Sequence, residues 1–276
     1  MNPVASIVIP AHNEEAVIAA GLDRLLGGAA PGEFEVIVVA NACADATVSA
    51  AARPGVRVLE TPVAGKANAL RMGDAACGAF PRIYADADVG LDADSARALA
   101  AALARPGVLA AAPRPVWDLE GATWVAGRVH RVHDALVAPH RALAGVGVYA
   151  LGKEGHARVF PLPDVLSDDG WVQASFAPHE RVVVDGASSV VRPARSVRAH
   201  LRRRVRVRLG NRQLAELGRP VNAVPLRLGD LGALLRAGRV SVLDAGCYLA
   251  VLLADRLLTR VRRGRPADWG TDASSR

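Results

Sequence analysis

The chain has 276 residues, 51% hydrophobic and 22% charged, enough to bury a full core without a covalent or metal staple. Its three cysteines, Cys43, Cys77 and Cys247, are odd in number and far apart, which argues against a disulfide framework or a cysteine-based zinc site and fits a reducing compartment. The net charge of +7 is uneven: residues 1–190 carry 15 basic and 21 acidic side chains and residues 191–276 carry 19 and 6, so an anionic partner is expected for the C-terminal third.

The first apolar run is short and ends in Pro10-Ala11-His12-Asn13, so no secretory signal peptide is expected. Ser6 to Ile9 reads as a buried strand and Glu14 to Leu26 as a helix. Phe34 to Val39 is a second strand, Ala44 to Ala52 a helix, Val56 to Leu59 a third strand and Lys66 to Cys77 a third helix. Arg82 to Ala85 reads as strand, Ser95 to Ala104 as helix and Val108 to Ala111 as strand. Short apolar runs alternating with helices predict βαβ units and a mostly parallel sheet with flanking helices. Ligands of such sheets bind beyond the carboxyl ends of the strands, which directs attention to His12, Asn13, Asn41, Asp45, Lys66, Asp86 and Asp88.

Thr123 to Ala144 is expected to be helical, and Gly145 to Leu151 is a Gly-rich segment expected near a turn or a ligand. Residues 192–212 contain nine arginines. A helical tail follows Pro220, with an apolar stretch from Val240 to Leu258 broken by Asp244 and Asp255. The expected organisation is an α/β domain over residues 1–200 and a basic helical extension over 201–276.

Asp86-Ala87-Asp88 follows the strand Arg82–Ala85. Residues i and i+2 of extended chain point the same way, so both carboxylates can approach one hard cation such as Mg²⁺ or Mn²⁺. With 18 aspartates in the chain, about one Asp-x-Asp is expected by chance, and Asp92-Ala93-Asp94 reads as a helix cap instead. Asp168-Asp169 is open to two readings, a solvated turn or cap and a general base. The arginine run is a solvated face, a nucleic-acid surface or a source of one or two contacts to a departing diphosphate, Arg203 and Arg204 among them. Nucleic acid is disfavoured because no aromatic side chains interleave the arginines. The seven histidines show no metal-ligand spacing.

Taken in order, these segments resemble family 2 glycosyltransferases of the GT-A fold. Ser6-Ile-Val-Ile-Pro-Ala-His-Asn-Glu-Glu15 is similar to the family's opening strand and Pro-x-x-Asn-Glu loop. Val36 to Thr47 is similar to its second nucleotide segment, Gly65 to Leu70 to its Gly-Lys-x-x-Ala-Leu stretch, and Asp86-Ala-Asp88 to its metal motif. Asp168-Asp169 stands where the family carries two acids, the second being the base. The resemblance covers about residues 4–175. Ala40 departs from the usual Asp, Arg71 from the usual Asn, and no Gln-x-x-Arg-Trp occurs, which argues against a processive synthase.

The resemblance implies a Rossmann-like GT-A sheet and a metal-dependent, inverting, non-processive transfer from a nucleotide-diphosphate sugar. Asp86 and Asp88 would hold Mg²⁺ or Mn²⁺. Pro10, Ala11, Asn13, Glu14, Asn41, Asp45, Lys66, Asp86, Ala87, Arg203 and Arg204 would contact the nucleotide sugar. Asp169 would be the base, with Asp168 the second candidate. The acceptor is unknown, with a lipid-linked one in view, and a cytoplasmic location at the inner face of a membrane is expected. Val242, Leu249, Leu252 and Leu253 recur near helical spacing, so that face packs on the domain or, with Arg256, Arg260, Arg262 and Arg263 following, lies on anionic lipid. A nucleotidyltransferase, which lacks support in any Gly-rich phosphate loop after the first strand, and a non-catalytic anion- or membrane-binding protein are the rival readings.

Overall fold

The computed structural model describes residues 2–220 and 227–261, with side chains to residue 258. Among them, eight strands form one sheet: β1 (Ala5–Ala11), β2 (Phe34–Asn41), β3 (Val56–Thr61), β4 (Arg82–Ala85), β5 (Val89–Leu91), β6 (Ala110–Trp117), β7 (Val148–Leu151) and β8 (Arg181–Val191). The spatial order is β3-β2-β1-β4-β7-β6-β8-β5. β3, β2, β1 and β4 are parallel, as the alternation of apolar runs and helices predicts. β7 reverses direction between β4 and β6, β6 and β8 are parallel, and β5 closes the edge antiparallel to β8.

Side chains alternate across this sheet and two cores result. Ile7 and Ile9 of β1 join Val36, Val38 and Ile83 under α1 (Ile18–Leu26), α2 (Thr47–Ala51) and α4 (Ala93–Leu103). Ile18, Leu22 and Leu25 form the buried stripe of α1 at helical spacing. Val8 faces the other side, where α3 (Lys66–Ala75), α6 (Lys153–Val159) and α7 (Asp168–Ala174) pack with Tyr84, Tyr149 and Leu162. Gly73 lets α3 approach closely, since a Cβ there would lie 2.4 Å from Val8 Cγ1. The Asp92 side chain caps α4, accepting from Ser95 N at 2.8 Å.

Several expected boundaries move, and the strand expected over Val108 to Ala111 runs over Ala110–Trp117. α1 begins at Ile18 rather than Glu14, and α2 at Thr47 rather than Ala44, because the acids between them bond across the two loops. Glu14 N donates to Thr47 Oγ1 (2.7 Å), Glu15 N to Asp45 Oδ2 (3.1 Å) and Ala46 N to Glu15 Oε2 (2.8 Å). Such local bonds compete with helix. α5 (Trp124–Val137) ends well before Ala144.

α8 (Val197–Glu216), α9 (Leu228–Arg236) and α10 (Val242–Val261) follow. Val129, Val132 and Leu136 of α5 share a core with Leu231, Val240, Ala245, Tyr248 and Val251. The two acids of the apolar stretch turn inward: Asp244 Oδ1 accepts from Arg128 Nη1 (2.7 Å), and Asp255 Oδ2 from Arg204 Nε (2.8 Å) and Arg208 Nη1 (2.7 Å). Of the two readings of the face formed by Val242, Leu249, Leu252 and Leu253, packing on the domain is the one corrected. Val242, Leu249 and Leu253 are 81%, 40% and 59% exposed, and of the four only Leu252 packs inward. No helix among the described residues is long and apolar enough to cross a membrane. The Arg260 side chain, Arg262 and Arg263 lie outside the described residues.

Candidate active site

The parallel strands β1, β2 and β4 end side by side, and their carboxyl ends carry Pro10–Ala11, Asn41 and Asp86. The first two loops are sewn together. Asn41 Nδ2 donates to Ala11 O (2.8 Å), Gly65 N donates to Asn41 Oδ1 (3.1 Å), and Ala44 N donates to Asn13 Oδ1 (2.8 Å). Asn13 takes left-handed backbone, φ 55°, a region asparagine tolerates better than most residues. Partial desolvation pushes the Asp45 carboxyl up, but hydrogen bonds from Thr47 and Glu15 outweigh it and hold the group below its ordinary range.

The chemistry gathers around Lys66, the first residue of α3. Its ammonium lies 2.6 Å from Asp86 Oδ1 and 2.8 Å from Asp168 Oδ1. Desolvation lowers the Lys66 pKa, but the charges of Asp168, Asp86 and Asp169 raise it further, so the lysine stays cationic. Burial raises the Asp168 pKa against the pull of Lys66, and Asp168 Oδ2 has no hydrogen-bond partner among the described residues. Asp169 differs. Burial acts upward on it too, but Lys66, Gly145 N (2.7 Å), Ser167 Oγ (2.8 Å) and Gly170 N (2.7 Å) together hold it ionised.

Because β7 is antiparallel to β4, Val148 lies opposite Ala85 and the Gly145–Gly147 turn reaches the same edge as Asp86. Asp86 N donates to Gly147 O at 2.8 Å. Gly147 has φ 69°, and a Cβ there would strike Val89 Cγ2 at 2.4 Å, so only glycine fits. One cleft is lined by Pro10, Lys66, Asp86, Tyr149, Asp168 and Asp169, with Leu70, Tyr84, Ala85 and Gly147. The Tyr149 ring stacks on Tyr84 with centroids 4.9 Å apart, and its buried hydroxyl has no partner among the described residues. Burial, then the nearby Asp168 charge, raises the Tyr149 pKa.

The segment before Asp168 is braced from two sides. Arg71 Nη1 donates to Leu162 O (2.8 Å) and Arg71 Nη2 pairs with Asp164 (2.8 Å). From α8, Gln213 accepts from Leu166 N (2.8 Å) and donates to Asp164 O (2.9 Å).

Of the residues singled out from sequence, Pro10, Lys66, Asp86, Asp168 and Asp169 line the cleft. Asn13, Asn41 and Asp45 brace the loops that follow β1 and β2, with Ala11 leading into the first of them and Glu14 within it. Ala87 is 7% exposed, and its methyl group packs in the core between the two aspartates. Arg203 and Arg204 do not line this cleft: Arg204 is engaged by Asp255, and Arg203 acts on His130, His133 and His200. Tyr149 and Gly147 escaped residue-by-residue reading, although the Gly-rich Gly145–Leu151 run was a signal.

The Asp86–Asp88 motif is a turn rather than extended chain, Val89 N closing it on Asp86 O at 3.1 Å. That corrects the expected geometry and still puts two hard carboxylates on one short turn. The donor set fits Mg²⁺ or Mn²⁺, which complete their shell with phosphate oxygens and water. Among the described residues no cluster of three or more His, Cys, Asp or Glu forms an all-protein metal cage.

A sequence model described as Glycosyl transferase family 2 matches residues 6–146, just over half of the chain. No protein of curated function matches it by sequence. Among solved structures, a mannosyltransferase from Pyrobaculum calidifontis in complex with GDP-Man and Mn²⁺ aligns with TM-score 0.61 and 21% identity, covering 96% of this chain and 77% of that one. Glucosyl-3-phosphoglycerate synthase from Mycobacterium tuberculosis, in complex with Mn²⁺, UDP and phosphoglyceric acid, aligns with TM-score 0.55 and 22% identity, covering 80% and 81%. At these identities the likeness establishes the fold.

Proposed function

The chain belongs to glycosyl transferase family 2, and from that premise we propose that it moves a sugar from a nucleoside-diphosphate donor to an acceptor hydroxyl by one in-line displacement with inversion. The observation that carries the reading is the junction of Lys66 with Asp86 and Asp168 at the carboxyl ends of the parallel strands. Support also comes from two neighbours of the same fold, one solved with GDP-Man and Mn²⁺ and the other with Mn²⁺ and UDP.

Asp86 and Asp88 would hold Mg²⁺ or Mn²⁺, which supplies charge to offset that growing on the diphosphate. Asp169 takes the proton of the acceptor hydroxyl as its oxygen bonds to the anomeric carbon, while the bond to the phosphate oxygen breaks and nucleoside diphosphate leaves. Asp169 suits this role because its donors keep it ionised and orient it, and it is less buried than Asp168. Asp168 fixes the Lys66 ammonium. The unpartnered Tyr149 hydroxyl and Asp168 Oδ2 take hydroxyl groups of bound sugar or acceptor.

Residues 1–200 form the transferase domain in this reading and 201–276 a basic extension, with α8 crossing between them. A lipid-linked acceptor, presented at the cytoplasmic face of a membrane, suits the basic balance of the C-terminal third. The test is product analysis with a panel of nucleotide sugars and Mn²⁺. Free nucleoside diphosphate is expected; pyrophosphate would instead mean nucleotidyl transfer.

A further inference from the structure

Helix α10 is apolar on both sides: Ala245, Tyr248, Val251 and Leu252 pack inward, as in an ordinary surface helix, but the outer side is apolar too, where such a helix would carry its charges. Between Val242 and Leu258 the charged residues are Asp244, Asp255 and Arg256. Both acids are buried, 8% and 5% exposed, and are held by arginines of α5 and α8. The outer side shows Val242, Leu243, Leu249, Leu253, Leu257 and Leu258, each 40% exposed or more, with Arg256 the one charge among them. The stripe 242, 249, 253 and 257 follows one face of the helix. Leu228, at the start of α9, is 75% exposed. At the two ends of α9 Arg227, Arg236 and Arg239 are exposed, against a single exposed acid on the helix, Asp230.

We propose that this outer face of α10 docks on a bilayer surface rich in anionic lipid, the helix lying in the interface with its leucines in the acyl boundary and the arginines on head groups. Charge decides among occupants. A two-fold contact with a second copy would bring the same arginines face to face, whereas an anionic surface complements them. The helix is not apolar enough to cross a bilayer, so it lies on one. The docking rests on the glycosyl-transfer reading only for the acceptor it would serve.

The test is co-sedimentation of the full chain with vesicles of equal phosphatidylglycerol and phosphatidylcholine, and of phosphatidylcholine alone, at low and high salt. Binding to the phosphatidylglycerol vesicles at low salt is expected, weakened by high salt and weak without the anionic lipid. Leu249→Glu/Leu253→Glu, at exposed positions, should lower it at least about tenfold with unchanged thermal unfolding. Arg236→Ala/Arg239→Ala should weaken it with the apolar stripe intact. Absence of low-salt binding, or equal binding by the leucine double variant, overturns the proposal. So does a dimer that the leucine variant dissolves. Sedimentation is read without turnover, so a failed docking leaves the transferase reading intact, and a failed transferase assay leaves the docking result intact.

Discussion

The Lys66 ammonium nitrogen lies 2.6 Å from Asp86 Oδ1, so the carboxylate assigned to the cation is also the one that anchors the first residue of α3. The lysine therefore sits where a diphosphate bound at Asp86 would meet a positive charge. Lys66→Met should lower turnover by about 10²–10³-fold, the range for losing one donor to developing charge. Binding of Mn²⁺ alone should persist or tighten, because a competitor for Asp86 is gone. Steady-state rates with a parallel Mn²⁺ titration check this; a variant that loses Mn²⁺ affinity would make Lys66 an organiser of the cation site instead.

Asp169→Asn should preserve donor binding and lower turnover by roughly 10²–10⁴-fold, as expected for a lost general base. Asp168→Asn should fall less and should loosen Lys66. If Asp168→Asn is the dead variant and Asp169→Asn still turns over, the roles are reversed, and the unpartnered Asp168 Oδ2 becomes the proton acceptor.

Tyr149→Phe separates a ligand contact from a packing role. A buried hydroxyl without a partner costs about 1–3 kcal/mol, so the ligand-free variant should be as stable as the parent or more so. Its kcat/KM should nonetheless drop by about tenfold, equivalent to one hydrogen bond to substrate. Unchanged kinetics would remove Tyr149 from the site.

Acid should weaken the seam between α5 and α8. Burial, then the charges of neighbouring His130, His133 and Arg204, push His200 down to about 3, and burial, Arg204 and His130 push His133 down to about 4. Arg203 acts in the same direction, and Asp134 opposes it at His133. Both histidines are neutral when folded and titrate near 6.5 when unfolded, so the unfolded chain binds more protons in between. Stability is full above about pH 6.5 and falls as pH drops toward the folded values, by up to about 1.4 kcal/mol per pH unit for each histidine. Thermal unfolding at pH 7.5 and pH 5 should show the loss, and His133→Phe with His200→Phe should flatten it. Equal Tm at both pH values contradicts the assignment.

The local runs made much of this molecule readable. β1, β2 and β4 are short, mostly apolar strings whose carboxyl ends lead into polar residues, and Lys66, Asp86 and Asp168 stand in the expected order. What escaped depends on pairing at a distance. Tyr149 reaches the cleft because β7 reverses beside β4, a register that no local periodicity encodes. Arg204 looked available for a diphosphate, yet its partner Asp255 lies 51 residues onward. The apolar period of α10 announced a helix, but which side turned inward was decided by Arg128, Arg204 and Arg208 finding its two acids. Arg71, a departure from the family pattern, has its reason in Leu162 and Asp164.

The most direct test of the central claim is calorimetric titration of UDP and GDP, with and without Mn²⁺, into the parent chain and the Asp88→Asn variant. The parent should bind at least one of the two nucleotides in a Mn²⁺-dependent manner. Asp88→Asn should lose that dependence while keeping the parent's circular dichroism and thermal unfolding. Undiminished Mn²⁺-dependent affinity in Asp88→Asn would contradict a cation held at the Asp86–Asp88 turn, and with it the account of donor binding built on that turn.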